Sequence, residues 1–276
     1  MPGNRVPTRR IPATGEEIPV VGIGTWAAFD VAPGDARYAG LSGVLDALFT
    51  AGGTLIDSSP MYGRAEETAG ELLANAVPQH KRFVATKVWT TGRDAGIAEM
   101  QRSMKRLRVE QLDLMQIHNL LDWRTHLATL REWKDRGVVR YVGVTHYKAT
   151  AHAEIEAVLR AEPLDFVQVN YSMLEPEAAE RVLPLAADLG VAAIANRPFG
   201  EKSLARRVQG RPLPGWAAET GALTWNDLGI AFALSHAAVT CVIPGTGNGA
   251  HMAANCAASR IALSPAQQRE LVALLR

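Results

Sequence analysis

The chain has 276 residues, 29 basic against 28 acidic side chains and a formal net charge of +1 at pH 7. That balance offers no global field to recruit nucleic acid or an anionic membrane, which leaves a small molecule as the expected partner. Cys241 and Cys256 have neither metal-ligand nor disulfide-scaffold spacing, the first nineteen residues lack the apolar stretch of a secretory signal, and no segment approaches a membrane span; the expectation is a soluble, cytoplasmic chain with free thiols.

In chain order, Thr14-Gly15 between β-compatible residues at 11–19 predicts a small hairpin. Short β-rich runs follow at 20–24, 54–57, 83–87, 112–117, 141–145, 166–170, 191–196 and 240–243, separated by helical patterns. Ile97, Met100, Met104 and Leu107 make one helical stripe and Val182, Ala186 and Leu189 another, with Gly137 and Gly190 as helix stops. The gap before the last strand is about twice the others and holds a loop at 201–221, then a helical run at 226–235. Alternation of this kind demands a parallel sheet with crossover helices, and eight strands predict an α/β fold of the (β/α)8 TIM-barrel type, residues 1–276 forming one domain with a short N-terminal β-hairpin.

Catalytic groups of such barrels stand at the C-terminal strand ends. Here those ends are polar: Asp57, Lys87, His118, Thr145, Asn170 and Asn196. Lys87 follows Phe83-Val84-Ala85-Thr86, where an unpaired ammonium is costly to bury, and Asp57 is the natural partner. A lysine so held stabilises a nearby phenolate, which suits Tyr62, in the loop after Asp57, as a proton donor; His118 then orients a carbonyl through a neutral imidazole. Hydride must come from a cofactor, because no side chain supplies it.

These residues resemble the aldo-keto reductase superfamily over nearly the whole chain. Residues 56–63 (Ile-Asp-Ser-Ser-Pro-Met-Tyr-Gly) resemble the segment of the catalytic aspartate and tyrosine, Ala85-Thr86-Lys87 the lysine strand and 112–118 (Leu-Asp-Leu-Met-Gln-Ile-His) the histidine strand. The resemblance implies Tyr62 as general acid, Lys87 lowering its pKa, Asp57 pairing with Lys87 and His118 positioning the carbonyl. It further implies cofactor contacts from Gly24, Thr25 and Trp26, from Asp57, and from Thr145-His146, which stand where Ser-Asn is usual. Gln168 is implied as a carboxamide ligand. Asn196, Arg197, Pro198, Phe199 and Gly200 resemble the seventh-strand segment, with Asn196 replacing an aromatic that stacks on nicotinamide. Gly245 and Thr246 resemble the loop after the eighth strand, leading through His251 to Asn255, where backbone N–H groups meet a phosphate.

NADPH is the implied cofactor, with NADH also accepted, because the cations that often select the 2′-phosphate, a Lys near Gly245 and an Arg near His251, are missing. The substrate is expected to be a small-molecule carbonyl in an open mouth lined by Trp26, Tyr62, Trp89, His118 and Asn119. Two other functions fit parts of this pattern: a Schiff-base lyase using Lys87, and a nucleotide-binding redox-sensing or interaction barrel with little turnover.

Overall fold

The computed structural model describes residues 5–76, 80–201 and 203–276. The first four residues of the segment read for a signal, and residue 202 of the loop at 201–221, lie outside them. Strands β1 (Thr8–Arg10) and β2 (Glu17–Pro19) pair antiparallel, Thr8 opposite Pro19, as the expected hairpin. Eight parallel strands follow: β3 (Ile23–Gly24), β4 (Leu55–Asp57), β5 (Phe83–Val88), β6 (Leu112–His118), β7 (Val139–His146), β8 (Phe166–Asn170), β9 (Ala192–Asn196) and β10 (Val239–Val242). They neighbour one another in sequence order. Closure comes from a parallel bridge between Val21 and Val242, with Gly22 N–H donating to the Val242 carbonyl at 2.9 Å and Val242 N–H to Val20 at 2.9 Å. A barrel rather than an open sheet follows, as the count of strands predicts.

Helices α1 (Tyr38–Thr50), α2 (Ala65–Asn75), α3 (Arg93–Leu107), α4 (Trp123–Asp135), α5 (His152–Ala161) and α6 (Val182–Asp188) each return the chain to the next strand. In α1 the buried Leu41, Val44, Leu45 and Leu48 recur at helical spacing and form the inward stripe. The long gap before β10 is not a bare loop. It contains the short helices α7 (Ser203–Arg207) and α8 (Ala217–Thr220), pinned by buried Leu204 and Ala217, before α9 (Trp225–Ser235). Each of the two is too short to show a periodic stripe, so the sequence reads as loop. Thr224 opens α9 with a capping box, and Ser264 does the same for α11 (Pro265–Leu275), after α10 (Gly249–Ala258). None of the helices among the described residues is long and apolar enough to cross a membrane.

Two apolar layers divide the strands by parity. Ile56, Val84, Met115, Val142, Val167 and Ala193 face the helices. Leu55, Phe83, Ala85, Leu114, Tyr141, Phe166, Ala192, Ile194 and Cys241 fill the barrel, and Ile11 and Ile18 of the hairpin join them from below. A strand's period of two then decides the site: the residues two or four steps past these inward positions include Asp57, Lys87, Gln116, His118, Thr145, Gln168 and Asn196. Polar side chains therefore take over where the apolar plug ends.

Candidate active site

Asp57 and Lys87 meet at the top of the plug. Lys87 Nζ donates to Asp57 Oδ2 at 2.5 Å and to the Ser58 carbonyl at 2.7 Å, and both side chains are enclosed, at 0% and 2% exposure. Asp57 Oδ1 accepts from Gln116 Nε2 at 2.9 Å and from Gln168 Nε2 at 3.0 Å. A buried carboxylate is thus fully hydrogen-bonded, as burial requires. Burial alone would lower the lysine's pKa, but the pull of Asp57 and of Tyr62 outweighs it and holds the group above its ordinary value. Lys87 is therefore charged at neutral pH.

Tyr62 sits 5.1 Å, ring centroid to Nζ, from that cation. An ammonium carries three hydrogens, and two are spent on Asp57 and Ser58, so the third is available to the phenolic oxygen. Burial raises the Tyr62 pKa and the Asp57 charge adds to this, while Lys87 opposes; the net direction is upward, so the phenol holds its proton at neutral pH. The loop that carries Tyr62 turns at Gly63 with φ +59°, where a Cβ would stand 2.3 Å from Asp30 Oδ1. Asp30 in turn accepts from the Arg64 N–H at 2.9 Å. Only glycine allows this approach.

Across from Tyr62, the His118 ring stands edge-on at 5.9 Å. Its Nδ1 is 3.1 Å from Ser59 Oγ. Burial first, then the Lys87 charge and His146, push its pKa down to about 3, so the imidazole is neutral. Trp89 lies 6.4 Å from the same ring and is 42% exposed.

A cavity of about 560 Å³ opens over these groups. A profile of the aldo/keto reductase family matches residues 20–276. The chain belongs to this family. It is 30% identical over 190 residues to an aldo-keto reductase of Bacillus subtilis, a match covering 63% of this chain and 56% of that relative. With an aldo-keto reductase of a Mycobacterium species (strain KMS) it shares 32% identity over 200 residues, 69% of this chain and 67% of the relative. The chain thus spans little more than half the length of the first of these relatives. Among solved structures, the aldo-keto reductase of Klebsiella pneumoniae in complex with NADP and acetate superposes with a TM-score of 0.80 at 23% identity, covering 95% of this chain and 93% of that one.

Within this family member the cavity brings together Gly24, Trp26, Asp57, Tyr62, His118, Thr145, Gln168, Asn196, Arg197, Pro198, Phe199, Gly245 and Thr246. Thr25 is buried beneath it, donating to Ser58 Oγ at 2.9 Å. His146 turns aside to stack on Tyr147, and its Nδ1 accepts from the Lys148 N–H. Gly200, outside the cavity lining, has φ +54°; Asn119, at the same φ, follows His118 with its Oδ1 buried and without a partner among the described residues. His251 and Asn255 lie on α10, the former exposed and the latter buried.

Among the features that went unread in the sequence, four side chains stand out. Gln116 has the same inward parity as His118 and could have been found from that spacing. Met61 and Tyr147 line the cavity and carry only the signal of adjacency to assigned residues. Glu201 pairs with Arg197 at 3.0 Å, an i,i+4 contact at the rim, and the Arg197 Nη1 also donates to the Tyr147 carbonyl at 3.1 Å.

A nicotinamide carboxamide fits what the residues offer. Asn196 Oδ1 is buried on the cavity wall without a partner among the described residues, an acceptor that suits an amide N–H. Gln168 gives its Nε2 hydrogens to Asp57 and to Gln116 Oε1, and its Oε1 accepts from Asn196 Nδ2 at 3.3 Å, so it has one lone pair left for a ligand. At the start of α10 the N-cap residue Asn248 already accepts from the N–H groups of Ala250 and His251, at 2.8 and 3.2 Å. An anion there competes with the cap for the helix amides.

Proposed function

We propose that this chain reduces an aldehyde or ketone to the alcohol with NADPH, NADH serving as well, and that Tyr62 is the general acid. The observation that carries this reading is the enclosed Lys87–Asp57 pair beside Tyr62, with the neutral His118 facing the same cavity. The cofactor, when bound, supplies the hydride. Thr145, Gln168 and Asn196 would hold its carboxamide, and Gly245 with Thr246 its phosphates. Tyr62 gives its proton to the carbonyl oxygen as charge develops there, and Lys87 stabilises the phenolate left behind. His118 holds the carbonyl oxygen in place, and Trp26, on the cavity wall, and Trp89, beside the His118 ring, offer exposed apolar surface to a substituent. Two buried free cysteines, Cys241 and Cys256, support a reducing, cytoplasmic setting.

The lyase reading requires a neutral Lys87, whereas two of its hydrogens are committed and its charge is held by Asp57. Substituting Tyr62→Phe tests the proposal. Carbonyl reduction should fall roughly 10²–10⁴-fold, the range of general acid catalysis, with NADPH dissociation constant and fold unchanged. Activity within a factor of two of the parent refutes the assignment. Tight cofactor binding by the parent, with no turnover over a panel of aldehydes, would make the chain a nucleotide sensor instead.

A further inference from the structure

A neutral imidazole has one N–H, and its location decides whether His118 donates to a carbonyl oxygen or repels it with a lone pair. Among the described residues His118 Nδ1 has a single partner, the hydroxyl of Ser59 at 3.1 Å. Ser59 is wholly buried. Its neighbour Ser58 is occupied separately, accepting from Thr25, so the two hydroxyls do not satisfy one another. No other hydrogen bond is made by Ser59 Oγ among the described residues. If Nδ1 carried the proton, Ser59 would accept it and its own hydroxyl hydrogen would be buried without an acceptor, a cost of the kind folded proteins avoid. The reverse arrangement satisfies both groups: Ser59 Oγ–H donates to Nδ1, and the imidazole proton is left on Nε2.

We propose that Ser59 is a positioning residue that fixes His118 as the Nε2–H tautomer, so that the imidazole and the Tyr62 hydroxyl both donate to the carbonyl oxygen. This rests on the proposed carbonyl reduction for its consequence, but the tautomer itself does not depend on it. The neutrality of the ring accords with its low pKa, set by burial and by the Lys87 charge. Around the ring, Tyr62 and Trp89 stand at 5.9 and 6.4 Å between centroids, and among the described residues Ser59 is the hydrogen-bond partner of Nδ1.

Long-range proton–nitrogen NMR on full-length protein labelled with ¹⁵N-histidine, at pH 7, reads the tautomer directly; the His118 signal is identified by its loss in His118→Ala. The parent should show Nε2 protonated and Nδ1 bare. A protonated Nδ1 in the parent overturns the proposal without any further variant, and leaves the carbonyl-reductase reading standing on Tyr62→Phe. Ser59→Ala should lose the single-tautomer pattern and lower kcat roughly 2- to 10-fold, the factor one neutral hydrogen bond is worth, with the NADPH dissociation constant unchanged. Ser59→Thr, which keeps the hydroxyl, should keep the tautomer. In a His118→Ala background the Ser59→Ala change should cost nothing more. An equal loss in both backgrounds makes Ser59 a packing residue and sinks the idea.

Discussion

Asp57 accepts three hydrogen bonds, from Lys87, Gln116 and Gln168, and each donor comes from a different strand. One carboxylate therefore ties β5, β6 and β8 to β4 at the layer where the apolar plug stops. Removing its charge leaves an ammonium with no counter-charge in a site closed to water. Asp57→Asn should cost about 3–5 kcal/mol of stability, the range for breaking a buried pair, and lower the Lys87 pKa. Urea denaturation of parent and variant measures it; a loss below about 1 kcal/mol would mean that water reaches the lysine. The carboxylate and its lysine were legible from the chain, since a lysine after a run of buried β residues needs a partner. Gln116 and Gln168 were not legible as its further donors, because an amide at an inward position looks the same whether it serves a ligand or a neighbour. Only the distances separate these uses. The same holds for Ser59, whose role depends on a contact 59 residues away in sequence.

Among the elements, the hairpin and α10 carry the clearest consequences. Glu16, in the hairpin turn, accepts from Lys81, Tyr141 and Arg140, and these bonds overcome the upward effect of burial to hold its carboxyl at about 2. The folded pKa lies below the unfolded value, so the contribution is complete above roughly pH 4.5 and is lost as pH falls from there towards 2. Glu16→Gln should therefore lower the urea midpoint at pH 6 and match the parent near pH 2; a constant difference across that window would contradict the linkage. At α10, the Asn248 cap occupies two of the first amides, so a 2′-phosphate bound there would depend on side chains. His251→Arg should strengthen NADPH binding and leave NADH largely unaffected, because charge-assisted hydrogen bonds are worth roughly 1.5–3 kcal/mol before solvent screening. Dissociation constants that move together for both cofactors would place the phosphate elsewhere. The short helices α7 and α8 show the opposite limit of sequence reading: each is fixed by one anchored side chain, Leu204 or Ala217, and five or four residues contain no period to find.

At the scale of the molecule, the barrel follows from repetition. Eight β runs separated by helical segments, each with alternating sides, leave few ways to bury every apolar face, and the closing of β10 against the chain at Val21 completes the one that works. Arg9 reinforces this closure from the hairpin. Its guanidinium donates to the carbonyls of Leu234 at 2.7 Å and His236 at 3.1 Å, and to that of Val239, joining residues 225–230 positions apart. Contacts so distant in sequence form late, after the loop they close has paid its entropy. Arg9→Ala should accordingly speed unfolding while leaving refolding nearly unchanged, as stopped-flow chevrons would show; slower refolding would put the latch in the folding nucleus. The latch also sets a waiting time on the ribosome. At ~5–20 residues per second, roughly 10–50 s separate the emergence of Arg9 from that of Val239. Through that interval the first strand is a nascent edge without its second neighbour, the kind of surface that binds a chaperone or a wrong strand until the last one arrives.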